Sequence, residues 1–322
     1  MKKIFFLSFI SFITCTASSQ VETQLLPSDL KQQTVVTESV TLRKGFFRSG
    51  LQLSFSLVDK YFDDSGRKRY VTGSSWGSTS LFLFTFEYGI TNRLMVDLAA
   101  PINSTKQAYN SLVVSPVNNQ DVPLVSDLKG TGIGDCFVTL VYQIIPEEKN
   151  SFSLTGSMDL TFPTGEKNPT DVKTVRDYQL PSGDGIFALG TRISARKILY
   201  PYSFTAYLGY NYKFKGSRLL LPTDSDETEF KYGDAIETGV SFNLHLNEWI
   251  ALTNELNYRY RGEGEVKTPY GISLDPAQTF SFETRLVFQI KQFRLGEEVS
   301  IPLLGKNVSA DPRYVLIVQY IF

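Results

Sequence analysis

Between Phe152 and Phe162, the residues Phe152, Leu154, Gly156, Met158, Leu160 and Phe162 alternate with Ser153, Thr155, Ser157, Asp159 and Thr161. Successive side chains of a strand point to opposite faces, so this run reads as a two-faced strand. It does not fit an amphipathic helix, whose apolar positions recur every three or four residues. The pattern repeats along the chain. Leu51, Leu53, Phe55 and Leu57 oppose Gln52, Ser54 and Ser56, and Leu94, Val96 and Leu98 oppose Met95 and Asp97. Phe204, Leu208, Tyr210 and Tyr212 oppose Ser203, Thr205 and Asn211, and Leu252, Leu256, Tyr258 and Tyr260 oppose Thr253, Glu255, Asn257 and Arg259. The census predicts about twelve strands between residues 46 and 322, an even number as in single-chain bacterial barrels. The eleventh, around Phe293 to Leu303, is the least regular because Glu297 interrupts its apolar set.

The links sort into two classes that alternate. Those at 89–92, 146–150, 197–201, 247–248 and 291–292 are a few residues long, whereas those at 59–75, 101–131, 163–184, 215–233, 262–277 and 304–312 are extended. Short turns at one end and long loops at the other are the arrangement of outer-membrane barrels, with both chain ends on the periplasmic side. A soluble sandwich also alternates, but its polar face meets bulk water and would be rich in Lys and Glu. Here the apolar sets carry a single charge, Glu297, and aromatic residues gather at strand ends. Trp76, Phe162, Phe214, Tyr260, Phe280 and Tyr314 fall at one end and Tyr88, Tyr142, Trp249 and Phe293 at the other, as in two interfacial girdles. The fold class expected is therefore an all-β, antiparallel up-and-down transmembrane barrel.

The two ends of the sequence agree with that address. Lys2 and Lys3 precede the apolar run Ile4 to Ile13 and the small residues that follow, which reads as a signal peptide over residues 1–19. At the other end, Tyr314, Leu316, Val318, Tyr320 and Phe322 form one apolar stripe with an aromatic last residue, a pattern that resembles the closing strand and assembly signal of bacterial outer-membrane barrels. The partners expected are outer-membrane lipid, lipopolysaccharide and the barrel-assembly machinery. The formal net charge of −1 becomes more acidic once Lys2 and Lys3 are removed, which argues against nucleic acid. Cys15 falls within the signal segment, so Cys136 stands alone and no intramolecular disulfide is expected. Residues 20–45 are polar without alternation and read as a periplasmic tail or a segment placed in the lumen as a plug.

Several short glycine motifs carry a family resemblance. Tyr88-Gly-Ile-Thr-Asn-Arg93, Leu98-Ala-Ala-Pro101, Gly132-Ile-Gly-Asp135, Phe162-Pro-Thr-Gly-Glu166 and Ser182-Gly-Asp-Gly185 occur in that order. Together they resemble the outer-membrane family named for the meta-pathway of phenol degradation, which is similar to the fatty-acid and aromatic-hydrocarbon channels. The resemblance implies passive uptake of small compounds, hydrophobic or aromatic ones among them, and brings no catalytic residues or cofactor.

Strand parity places a mixed set of charges inside: Arg93, Arg192, Arg196, Lys213, Arg259, Arg261 and Arg285 with Glu87, Asp97, Asp135, Asp159, Glu237, Glu255 and Glu283. His245 joins them. These residues either line a solute path or brace the barrel wall as ion pairs. An enzyme is not expected. The lone His245 has Asn247 two positions on, where a lipid-facing hydrolase would place its serine. The acidic run Asp224 to Glu227 and the basic run Arg67 to Arg69 read as solvated loops rather than as calcium or lipopolysaccharide sites. A channel for small solutes is the function expected, the alternative being a structural or adhesive barrel that acts through its extracellular loops.

Overall fold

The structure, a computed structural model, describes residues 41–42, 44–71, 76–114, 121–146, 152–168, 179–219, 224–247, 249–267 and 272–322. The proposed signal segment and residues 20–40 lie outside these. Twelve strands form the ring: β1 Phe47–Val58, β2 Trp76–Gly89, β3 Leu94–Val114, β4 Cys136–Ile145, β5 Ser153–Phe162 and β6 Ala188–Leu199. They continue as β7 Tyr202–Lys213, β8 Ala235–His245, β9 Ile250–Arg261, β10 Ala277–Ile290, β11 Phe293–Lys306 and β12 Arg313–Ile321. Each strand is antiparallel to its sequence neighbours, and β1 closes the ring on β12 through pairs from Arg48 with Ile321 to Ser56 with Arg313. Closure leaves no open edge, which is the condition for a sheet in lipid, where unpaired backbone groups find no water.

The apolar side of every strand points outward. Phe82, Phe84, Phe86, Leu98, Ile193, Phe204, Leu208, Val240 and Leu256 are exposed on the outer surface, as expected of a surface that lipid covers. Buried residues belong instead to the inner face, where Met95, Val141, Ala251, Val287 and Val315 lie among polar side chains. Tyr88, Tyr142, Trp249 and Phe293 ring the end that carries the short turns, which is the periplasmic end in outer-membrane barrels, and Phe162, Phe214, Tyr260 and Tyr314 the other, all exposed. The side chain of Trp76 lies outside the described residues.

The long links are not plain loops. The segment expected as a loop over 101–131 is a hairpin: β3 runs on past the membrane to Val114, and Asp121–Ile133 returns beside it, paired with β3 and touched by a single bridge from Lys129 to Gln179. Gly216–Arg218, Thr228–Lys231, Gly264–Val266 and Ile272–Leu274 form a four-stranded sheet, and Lys60–Phe62, Lys68–Tyr70 and Val308–Ser309 a three-stranded one. Phe230 and Phe62 are the buried aromatic anchors of these two small sheets.

Near the periplasmic end, the start of the described chain turns inward. Leu42 is buried against the inward-facing Met95 and Val141, its amide donates to Met95 Sδ at 3.4 Å, and Thr41 Oγ1 donates to the Asn92 carbonyl at 3.3 Å. Gly45, at φ +83°, then swings the chain out to β1, and its amide bonds Gly89 O at 2.8 Å.

Candidate solute path

Among the described residues, two adjoining cavities lie in the lumen. One of about 710 Å³, toward the extracellular end, is lined by residues such as Asp135, Ile186, Lys213, Glu237, Arg259 and Arg261. The other, about 390 Å³, lies deeper and is lined by Leu83, Met95, Asp97, Val141, Arg285 and Arg294 among others. Phe137, Asp159 and Arg192 line both.

Inward charges are held by specific partners. On β1 and β2, Arg48 makes a two-point pair with Glu87, Nε to Oε1 at 2.9 Å and the second contact through Nη2 and Oε2, with both side chains buried. The planar fork of a guanidinium matches a carboxylate in this way. On β7 to β9, Glu237 accepts from Arg259 at 3.4 Å and from Asn257 at 3.1 Å, and lies 3.6 Å from Arg192. Tyr207 lies below Arg192, whose guanidinium is 4.8 Å from the ring centre, and its hydroxyl donates to Glu255 at 2.7 Å. Its cross-strand partner is Gly239, where a Cβ would come within 2.7 Å of the Tyr207 ring. On β10 to β12, Arg285 Nε donates to Glu298 at 2.7 Å, Ser300 to Glu283 at 2.9 Å, and Arg313 lies between both carboxylates at 3.7 and 3.5 Å.

Three of the glycine motifs, at 132–135, 162–166 and 182–185, converge at the extracellular end, which their separation in sequence conceals. Asp135, immediately before β4, accepts the Gly165 amide at 3.0 Å on one oxygen and the Asp184 amide at 2.7 Å on the other. Ser182 donates to the Ile133 carbonyl at 2.7 Å, and Ser182 and Gly183 donate their amides to Glu166 O at 3.0 Å. A Cβ at Gly165 would meet Gly183 Cα at 2.7 Å, and one at Gly183 would meet Asp135 Oδ1 at 2.4 Å. The glycines are thus required for backbone to approach backbone. Asp135 holds this junction together as well as lining the wider cavity.

No family model matches the chain. Among solved structures, an outer membrane channel from Pseudomonas putida F1 superposes with a TM-score of 0.70 at 15% identity, over 89% of this chain and 99% of that one. The fold is that of an outer-membrane barrel. The Ralstonia pickettii toluene transporter TbuX aligns with a TM-score of 0.43 at 10% identity over 87% of this chain and 90% of that one. The translocator domain of the Neisseria meningitidis autotransporter NalP gives 0.46 at 7% over 87% and 89%.

The barrel distributes the charges read from its sequence over three levels. Lys213, Glu237, Arg259, Arg261 and Asp135 line the wider cavity; Asp159 and Arg192 lie where the two meet; Asp97 and Arg285 line the deeper one. Glu255 and Glu283 are drawn to the wall by Tyr207 and Ser300 and line neither. Arg196 is buried near the periplasmic end of β6. Arg93 differs from the expectation of an inward position: β3 begins one residue later, so Arg93 sits in the periplasmic turn, exposed, and lines neither cavity.

His245 does have a hydroxyl near it, which spacing along the chain could not show. Ser203 Oγ, from the neighbouring strand, lies 3.5 Å from Nε2. Ser203 is buried and its Oγ accepts from Asn243 at 3.1 Å, so it is not presented to an acyl group. In the loops, Glu227 is taken by Lys167 at 2.7 Å and Ser217 at 2.5 Å, and Arg69 by Asp63 at 3.0 Å. Among the described residues no cluster of His, Cys, Asp and Glu has the form of a metal site.

Proposed function

We propose that the protein is an outer-membrane channel for passive uptake of small solutes, exported by its N-terminal signal segment and assembled from its C-terminal strand. The observation that carries this reading is the pair of adjoining lumen cavities, 710 and 390 Å³, that share Phe137, Asp159 and Arg192. Each falls within the size range of small-molecule sites. Leu83, Met95, Val141, Val287 and Ile317 give the deeper cavity an apolar share, which suits solutes with a hydrocarbon or aromatic part. The ion pairs along β7 to β12 favour bracing as a second role of the same charges, since each holds two strands in register.

Liposome swelling tests the reading. Vesicles containing the refolded barrel should admit small polyols and aromatic acids and exclude large oligosaccharides. A well-folded barrel that admits none of them would instead favour the reading in which the extracellular hairpin and sheets act.

A further inference from the structure

We infer that the lumen selects dipolar solutes, small molecules carrying a positive and a negative group at opposite ends, over uncharged molecules of the same size. The inference rests on the channel reading and concerns what that channel prefers.

In a closed ring of twelve strands, strands six apart in order face each other across the bore. β3 therefore faces β9, β4 faces β10 and β5 faces β11. The first arc presents Asp97, Asp135 and Asp159 to the cavities and no cation. The opposite arc presents Arg259, Arg261, Arg285 and Arg294; Glu255, Glu283 and Glu298 on the same strands line neither cavity. Glu298 pairs with Arg285, and Glu237, on β8, pairs with Arg259 and lines the wider cavity, so Arg261 and Arg294 carry most of the positive wall. The segregation persists along the axis. Asp135 stands opposite the arginines of the wider cavity, and Asp97 opposite Arg285 and Arg294 in the deeper one.

Opposed rows of unlike charge set up a field across the bore rather than along it, and the apolar surroundings of the deeper cavity screen it less than bulk water would. A simple anion or cation is attracted by one wall and repelled by the other. A solute with both charges is attracted by both walls once it lies crosswise, so that its desolvation is offset at each end. Met95 and Val141 on the acidic arc, Val287 on the basic one and Ile317 on β12 give the deeper cavity apolar surface suited to a short hydrocarbon spacer.

The test compares 4-aminobutyrate, a zwitterion, with erythritol, a neutral polyol of similar size, in swelling assays on vesicles containing the full chain. The zwitterion should enter at least about threefold faster. The pair D97N and D159N should bring the ratio of the two rates close to one, and R259Q with R261Q, on the opposite wall, should do the same. Heat-modifiable migration verifies that each variant is folded, and either pair suffices if the other fails to assemble. Equal rates in the unmodified barrel, or a preference that survives in a folded variant, would overturn the inference while leaving the channel intact. Entry of neither solute would overturn the channel reading and this inference with it.

Discussion

Glu297 on β11 pairs across the strands with Leu316 on β12 and with Leu286 on β10, so its carboxyl group stands on the outer face among leucines. It makes no side-chain hydrogen bond or ion pair within the described chain. In a bilayer that position lies about four residues above the aromatic Phe293, inside the apolar band. Lys or Arg at such depth costs about 2 to 4 kcal/mol and an acidic residue less. The variant E297L should therefore be more stable by about 1 kcal/mol, and E297K less stable than the parent. Urea titration of the barrel in phosphatidylcholine vesicles reads both, and a destabilised E297L would count against the lipid-facing position.

At the extracellular junction, removing one carboxylate should loosen a large segment. D135N leaves one weaker acceptor for the Gly165 and Asp184 amides, and G183A drives a Cβ into Asp135. Hydrogen bonds to charged groups contribute about 1.5 to 3 kcal/mol, so the loss should appear as faster amide exchange over 163–168 and 179–187. The membrane strands should exchange as slowly as before.

Acid should release the loops before it opens the barrel. Lys167, followed by Ser217, holds Glu227 down at about 2. Asp63 is held well below the usual carboxylate range by Ser65, the Arg67 amide and Arg69. A depressed folded value means that the contribution is complete above the unfolded value, about 4.3 for Glu, and is lost as pH falls toward the folded one. Protease susceptibility of the extracellular loops should thus stay constant from pH 7 to about 5 and rise between about pH 4 and 2. A rise already complete at pH 5 would show that these contacts do not hold the loops.

Deleting residues 20–42 should raise single-channel conductance in planar bilayers. Leu42 is seated on Met95 and Val141 at the inner wall, which is where a plug formed by residues 20–42 would be anchored. L42D, which places a charge on that apolar seat, should raise conductance in the same direction. Unchanged conductance in both would mean that this segment is a periplasmic tail.

The closing strand should matter for assembly more than for passage. The Phe322 amide donates to Phe47 O at 2.8 Å, its ring lies 5.4 Å from that of Phe47, and Val318 sits between Leu51 and Leu295 on the outer face. Deleting Phe322, or making V318D, should reduce the yield of heat-modifiable, protease-resistant barrel. Permeation per assembled barrel should remain the same.

What the sequence made legible follows from where lipid acts. β5 and β9 could be read because a strand with hydrocarbon on one side and a wet lumen on the other must alternate. Of the hairpin from Leu94–Val114 to Asp121–Ile133, only the part up to Ala100 reads as a strand and 101–131 reads as a loop, since Gln107, Asn110 and Ser111 break the alternation of the sequence. The junction around Asp135 was hidden for another reason: its glycines and serine belong to motifs that only the barrel brings together. Arg48, Arg294 and Glu298 fit the inward parity of their strands, yet parity alone does not single them out, because partners such as Glu87 and Arg285 follow only from the register. Tyr207 gave no signal at all, because an inward tyrosine opposite Gly239 is visible only when the register is known.

The seam between β1 and β12 joins residues as far apart as Arg48 and Ile321. Until that contact is made, the sheet carries two bare rows of backbone donors and acceptors, which hydrocarbon cannot solvate. A half-built ring therefore has no resting place in the bilayer. Insertion and ring closure must be one event, paced by the search for one of the most distant pairings in the chain.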